Sequence, residues 1–209
     1  MASRKKKKNN GQTIKSIIVV AIMAGLLVLA YYRVANTKKP ISEEQSVSSA
    51  VSDVLLRNMD NNYPPSPKEV VKYYSELTKC LYNEDCSDEE IEQLAARAML
   101  IYDDDLASNQ EWNRYITNLK SEIATKKSQN YAIMSYTISA STDVKFFKKD
   151  AYECASLYCT YNIRNGSNPG KVEELFILRK DSEGHWRILG WDLSQDNDSA
   201  NAVVGAWNE

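Results

Sequence analysis

The 209-residue sequence has little histidine, phenylalanine or cysteine, with one His, three Phe and four Cys, and only seven Gly and five Pro. Its cysteines form no CxxC pair, and with one histidine they do not resemble a zinc site. The GxSxG motif, the phosphate-binding P-loop and the glycine-rich dinucleotide turn are absent from the sequence. Nucleophilic hydrolysis, nucleotide chemistry and a bound metal therefore have no support, and we expect no cofactor. A content of 43% hydrophobic and 26% charged residues also excludes collagen and long low-complexity chains.

The charges are distributed unevenly along the chain. Residues 1–39 hold nine Lys and Arg and no Asp or Glu, which leaves 17 basic and 28 acidic residues in 40–209, a net charge of −11. A basic end joined to an acidic body indicates two environments. The basic cluster Arg4–Lys8 directly precedes an apolar run, which is typical of a membrane-topology signal, so we do not expect a nucleic-acid partner.

The apolar run covers residues 16–32, which read SIIVVAIMAGLLVLAYY and contain no charge. A helix of that length spans about 25 Å, near the lower limit for crossing a bilayer core. Lys15 and Arg33 bracket the run and can extend its reach by snorkelling. We expect a cytoplasmic tail at 1–15, a retained anchor in the lipid bilayer at 16–33 and an extracytoplasmic body. A cleavable signal peptide ending near Ala30 is the alternative.

All four cysteines lie in the part expected outside the cell, where disulfides are permitted. Cys80 and Cys86 flank LYNED, a sequence typical of a helix end followed by a loop, so a local bridge between them is sterically reasonable. Cys154 and Cys159 form the second candidate pair. In an unbroken strand these two would lie roughly 16 Å apart on opposite faces, so a bridge needs a bend. Pairing elsewhere and free thiols are the alternatives.

Four segments of the body begin with the capping-box pattern, a serine followed three residues later by Glu or Gln. The serines are Ser42, Ser66, Ser87 and Ser108. Apolar residues follow each serine at helical spacing, so the sequence predicts four helices. Residues 34–65 are expected to form a linker and a stalk helix, and the main domain is expected at 66–194.

After about residue 128 the apolar residues alternate with the period of two that is typical of strands. Four strands are predicted, over residues 131–147, 151–164, 171–180 and 185–193. The first is expected to bend near 141–143, a turn cluster covers 165–170, and a short turn covers 181–184. The sequence therefore predicts an α+β fold, in which helices that follow the transmembrane helix pack on a curved four-stranded antiparallel sheet. The polar C-terminal tail, 195–209, is expected to fray.

The sequence EELFILRKDSEGHWRILGWDL at 173–193 combines a strand, a tight acidic turn with glycine and a final strand bearing Trp. With helices before it, this pattern resembles the nuclear transport factor 2-like superfamily over roughly residues 66–194. The resemblance implies a cone of helices folded against a curved antiparallel sheet. The whole-chain layout also resembles membrane-anchored proteins of Gram-positive bacteria that carry such a domain outside the cell. It further resembles the bitopic inner-membrane scaffold components of type IV secretion and conjugation machines.

Aromatic residues concentrate in the predicted sheet, where they either line a ligand pocket inside the cone or fill the core. The candidates for pocket lining are Tyr136, Tyr158, Trp186 and Trp191. The resemblance implies that a cone-fold enzyme would use a pocket Asp, Tyr or His as acid or base. However, His185 is expected at the rim of the sheet, and Asp143, Asp192 and the 103–105 run are expected in solvent. No catalytic residue is therefore assigned.

These features favour a membrane-anchored extracytoplasmic binding or assembly domain without catalytic activity. Its partner would be another protein or a second copy of the chain. One alternative is a scaffold component of a type IV secretion machine. The other is an extracytoplasmic cone-fold lyase, isomerase or hydrolase, which requires an open pocket with Asp or Tyr at its base.

Overall fold

The computed structural model describes residues 50–194. The expected anchor at 16–33, the basic tail at 1–15 and the polar tail at 195–209 lie outside the described residues. Among the residues that are described, no helix combines the length and apolar character needed to span a membrane.

The described chain has its helices first and its strands afterwards, so the expected α+β class is confirmed. After a helical segment at 50–55, the α-helices are α1 (Pro67–Asn83), α2 (Asp88–Met99), α3 (Asp104–Ser108) and α4 (Trp112–Ser128). The strands are β1 (Tyr131–Ile138), β2 (Lys145–Lys149), β3 (Tyr152–Asn165), β4 (Asn168–Lys180) and β5 (Trp186–Leu193), with a 3₁₀ turn at Ser141–Asp143. The antiparallel sheet thus has five strands rather than the expected four, because that turn divides the first predicted strand in two.

Strand β3 is the centre of the sheet. It pairs with β4 along one edge, and with β2 and then β1 along the other, while β5 pairs with the outer edge of β4. The β3–β4 connection is tighter than predicted, because Asn165 pairs with Asn168 and leaves only two loop residues. Gly166 has a φ of 62° there, which glycine adopts at little cost and which suits a two-residue hairpin.

Two β-bulges bend the sheet. One lies in β1 between Ile133 and Ser135, and the other in the β4–β5 pair between Ile177 and Leu178. A bulge increases the local twist and bends the strand that carries it. Helix α1 packs against β1, β3 and β5, and its Leu77 lies in the same buried core as Phe176 and Ile188 of the sheet.

Two of the four predicted helix starts are confirmed and one is wrong. The Ser66 Oγ accepts from the Glu69 amide, and Ser87 forms a reciprocal capping box with Glu90. Ser108 instead ends the short helix α3, and the N-cap of α4 is Glu111, whose carboxylate accepts from the Asn113 and Arg114 amides. The two carboxylate oxygens of Glu111 therefore provide the cap of α4 that the pattern predicts from the Ser108 hydroxyl. The predicted start at Ser42 lies outside the described residues.

The described part of the expected stalk packs on the domain. Residues 50–55 are helical, and Val51 is 2% exposed within the core. The Tyr73 hydroxyl and the Arg97 guanidinium donate to the carbonyl oxygens of Val54 and Leu55, at 3.3 and 2.7 Å. The compact domain therefore begins by residue 50 rather than at 66.

Candidate functional site

A cavity of about 590 Å³ lies between the helices and one face of the sheet. Helices α1 and α4 line one side, and side chains from β1, β3, β4 and β5 line the other. Helical spacing presents Tyr74, Thr78 and Tyr82 on one face of α1. Strand spacing places Val172, Glu174 and Phe176 on one face of β4. The residues that line the cavity include Tyr74, Tyr82, Tyr102, Tyr115, Leu119, Glu122, Lys126, Tyr131, Tyr161, Glu174, Trp191 and Asp192.

Four aromatic rings pack together at the cavity, and we name Tyr74, Tyr102, Phe176 and Trp191 the aromatic wall. Tyr74, Tyr102 and Trp191 line the cavity, whereas Phe176 is fully buried and packs against Tyr74 and Trp191. The Tyr74 ring centroid lies 5.4 Å from that of Phe176 and 5.1 Å from that of Trp191, and Tyr102 lies 5.9 Å from Trp191. Trp191 is 37% exposed, which is consistent with its position on an open cavity. Such ring pairs contribute packing energy beyond the area that they bury.

Glu174 is a carboxylate on an otherwise apolar face of β4. Pairing in the sheet places it opposite Cys159 of β3 and Leu193 of β5. Burial raises the pKa of Glu174 to about 7, because a buried carboxylate loses the hydration that stabilises its charge. No hydrogen bond or ion pair within residues 50–194 compensates for this loss. Near neutral pH, Glu174 is therefore able to accept a proton or to pair with a cation.

The tyrosines around Glu174 stay protonated at neutral pH. Burial raises the pKa of Tyr74 and of Tyr102 well above the usual value, and it raises that of Tyr161 as well. The Tyr161 hydroxyl lies 2.9 Å from the buried Ser75 Oγ, which donates to the Val71 carbonyl oxygen. The Tyr161 hydroxyl therefore donates to Ser75, and none of these three tyrosines adds negative charge to the cavity at neutral pH.

Charged groups from α4 and β5 complete the lining. The Tyr82 hydroxyl donates to the Glu122 carboxylate at 2.7 Å, and the Lys126 Nζ lies 4.4 Å from the Tyr131 ring centroid. Asp192 lines the same cavity as Trp191, and its carboxylate accepts from the Leu193 amide at 2.8 Å. The lining therefore combines apolar rings with more carboxylates than cations.

The structure brings one of the four candidate pocket residues to this cavity. Trp191 lines it, whereas Tyr136, Tyr158 and Trp186 are not part of its lining. The Tyr136 hydroxyl donates to Glu76 at 3.4 Å, and the Trp186 ring packs against Phe146 at 5.7 Å. The Tyr158 amide donates to the Ser139 hydroxyl at 3.0 Å.

Sequence reasoning missed Tyr74, Tyr102 and Glu174. Glu174 had a readable signal, since the alternation through Val172, Phe176 and Leu178 places it on the core-facing side of a strand. Helical spacing places Tyr74 on the apolar face of α1, but no local pattern brings Tyr74 or Tyr102 next to Trp191, because α1 and the α2–α3 connection meet the sheet only in the tertiary fold.

Neither expected disulfide is formed, because all four cysteines in the described chain are free thiols. The Cys80 Sγ lies 3.7 Å from the Ala50 carbonyl oxygen, and the Cys86 Sγ lies 3.6 Å from the Cys80 carbonyl oxygen. Burial raises the pKa of Cys80 to about 12 and that of Cys86 to about 11. The bend that a Cys154–Cys159 bridge needs is not present, because strand β3 runs unbroken through both residues and places them on opposite faces.

One group of potential metal ligands occurs within residues 50–194. Asp181, Glu183 and His185 lie at the β4–β5 turn, with their ligand atoms within 4.8 Å of one another. However, the Asp181 carboxylate already accepts from the His185 amide at 2.8 Å and from Arg187 at 2.8 Å. A guanidinium bound to the central ligand opposes a metal cation there, so the cluster is a turn-stabilising network. His185 lies at the sheet rim, and its ring packs 4.4 Å from Tyr63.

The aspartate run 103–105 is not wholly solvated. Asp103 is 3% exposed, and its carboxylate accepts from the Arg179 guanidinium of β4 through both oxygens. Asp105 binds the same guanidinium at 2.7 Å but remains 68% exposed. Asp103 is therefore a structural link between α3 and the sheet. Asp143 lies in the 3₁₀ turn, exposed and bonded to the Thr142 hydroxyl.

The fold and the cavity define an α+β domain with a tyrosine-rich pocket between its helices and its antiparallel sheet. The chain belongs to the family described as Domain of unknown function (DUF6715), whose model matches residues 1–191. The match thus includes both the apolar run at 16–32 and nearly all of the described domain. No curated protein matches the chain.

Proposed function

We propose that this protein is a membrane-anchored extracytoplasmic binding domain, and that the cavity beside α1 and α4 holds a small, partly apolar ligand. This proposal rests mainly on the half-buried Glu174 carboxylate, which lines the cavity without a hydrogen-bond partner among the described residues. Binding sites commonly combine apolar walls with a few polar groups that fix orientation. The aromatic wall and Glu174 provide that combination.

The membrane placement rests on the sequence. The uncharged run at 16–32, the basic cluster before it and the net charge of −11 in 40–209 support an anchored chain with an exported body. The nuclear transport factor 2-like cone belongs to the same proposal. Its support is the order of elements, the two bulges that curve the sheet, and the final hairpin whose turn is closed by Asp181 and Gly184.

The first prediction concerns filling the cavity. In Leu119→Trp, an indole replaces a side chain of α4 that lines the cavity and occupies part of its volume. A small-molecule library is screened by ligand-observed NMR against the full-length chain in lipid nanodiscs. Compounds that bind the wild type are expected to lose at least about tenfold in affinity for this variant, since a filled pocket offers no apolar contact.

The matched control is Thr117→Trp, which adds the same indole at an exposed position of α4. It is expected to retain the wild-type set of ligands. A library without any wild-type binder, or binders that Leu119→Trp retains in full, would contradict the proposed pocket.

A second candidate function is favoured by Glu174 alone. A carboxyl group with a pKa of about 7 in a cavity is suited to general acid–base catalysis at neutral pH, so a lyase or isomerase is the alternative. The same NMR screen distinguishes the two functions, because the signals of a substrate are replaced by those of a product, whereas the signals of a ligand persist.

A further inference from the structure

We propose that the ligand is an organic cation, a protonated amine whose apolar body packs on the aromatic wall and whose ammonium group pairs with Glu174. This inference rests on the proposed binding function and adds the chemical class of the ligand.

The charges of the cavity favour a cation over an anion. Among the lining residues, Glu122, Glu174 and Asp192 contribute carboxylates, and Lys126 contributes the ammonium group. The Glu122 carboxylate already accepts a hydrogen bond from the Tyr82 hydroxyl. A cleft with charges mainly of one sign and low-dielectric walls concentrates ligands of the opposite sign.

The sheet register sets the spacing between the two parts of the site. Phe176 pairs directly with Trp191 across β4 and β5, and Glu174 lies two residues before Phe176 on the same face. Alternate residues of a strand lie about 7 Å apart. An amine separated from an apolar ring by a short alkyl chain spans this distance, with its ring against Trp191 and its nitrogen at Glu174.

The two parts of the site act on different parts of the ligand. The aromatic wall offers ring contacts to the apolar body, as in other aromatic pairs. Glu174 is desolvated, and no ion pair joins it to Lys126, whose Nζ lies over Tyr131 instead. A ligand ammonium would supply the charge-assisted hydrogen bonds that the carboxylate otherwise lacks.

Binding is expected to depend on pH because Glu174 titrates near neutrality. The titratable groups that line the same cavity are Tyr74 and Tyr82 of α1, Tyr102 before α3, Tyr115, Glu122 and Lys126 of α4, Tyr131 of β1, Tyr161 of β3 and Asp192 of β5, and Cys159 pairs with Glu174 across β3 and β4. Burial raises the pKa of Cys159 and of these tyrosines, so they keep their protons between pH 6 and 8 (about one unit either side of Glu174). Glu174 is mostly protonated at the lower pH and mostly ionised at the higher. Affinity for a cation should therefore rise with pH across this range.

The test compares three probes of the same size on the full-length chain in neutral-lipid nanodiscs by isothermal titration calorimetry, with empty nanodiscs subtracted. They are 2-phenylethylammonium, the neutral 2-phenylethanol and the anion phenylacetate. At pH 8 (about one unit above the Glu174 pKa) the ammonium is expected to bind at least about tenfold more tightly than the alcohol, and phenylacetate least. At pH 6 the preference for the ammonium is expected to shrink.

Glu174→Gln keeps the shape and removes the charge, and it should abolish both the preference for the ammonium and its pH dependence. The matched control is Glu173→Gln, because Glu173 is the neighbouring residue of β4 and accepts from the Thr160 hydroxyl. This control should retain both effects. Equal or tighter binding of 2-phenylethanol overturns the cation inference and leaves the pocket standing. Binding of none of the three probes overturns the inference, and the library screen then decides the proposed function separately.

Discussion

At the scale of single residues, burial decides what each charged group does. Asp103, Asp104 and Asp105 are identical in the sequence, yet only Asp103 is buried. Its carboxylate raises the pKa of Arg179 above the usual value, and the same carboxylate caps α3 through the Asp105 amide at 3.0 Å. A buried charge must be paired, because its desolvation is costly. Asp103 is therefore a fold-determining residue.

The residue-scale prediction compares two neighbours in this run. Asp103→Ala removes a buried partner of Arg179 and is expected to lower the free energy of unfolding by about 3 kcal/mol. Asp105→Ala removes a partner that is 68% exposed, and it is expected to cost less than about 1 kcal/mol. Urea denaturation followed by circular dichroism measures both values. Equal losses in the two variants would show that Asp103 is not the principal partner.

At the scale of elements, a correct local pattern does not always become a helix start. Ser87 and Ser108 both begin a capping-box sequence. Ser87 makes the reciprocal contacts with Glu90, at 2.7 Å from its amide to the carboxylate and 3.2 Å in return. Ser108 instead donates to the Asp105 carbonyl oxygen at the end of α3. Ser108 is the last residue of the short helix α3, so it does not cap α4 as the sequence pattern predicts.

The element-scale prediction follows from this contrast. Ser87→Ala removes the cap of α2 and is expected to destabilise the protein by about 1 kcal/mol. Ser108→Ala removes only an exposed hydrogen bond and is expected to change stability by less than about 0.5 kcal/mol. Thermal unfolding of the two variants distinguishes them. A larger loss for Ser108→Ala would mean that the helix starts at Ser108 after all.

At the scale of the whole molecule, the proposed function requires the domain and its cavity to lie outside the cell. Protease added to intact cells that express the chain is expected to digest the domain and to leave a fragment that contains residues 16–33 in the membrane. Blotting with an antibody against the domain measures its loss. A cytoplasmic protein serves as the control for cell integrity. Protection of the domain, while a surface protein is digested, would contradict the proposed location.

The sequence by itself determined the α+β class, the starts of α1 and α2, and the last hairpin. These features depend on local physics: capping groups within three residues, the period of the apolar positions, and turn residues such as Gly184. A capping hydrogen bond or an apolar helix face is formed by residues that are close together in the sequence. It needs no distant partner, so the sequence alone predicts it.

Only the tertiary structure decided the division of the first strand, the burial of Asp103 and the cavity. Tyr74 and Tyr102 are far from Trp191 in sequence, and their rings meet because α1 and the segment before α3 pack on β4 and β5. The raised pKa of Glu174 has the same origin, since desolvation comes from all the elements that surround it. Contacts between residues distant in sequence depend on how the elements pack, and no local pattern records that packing.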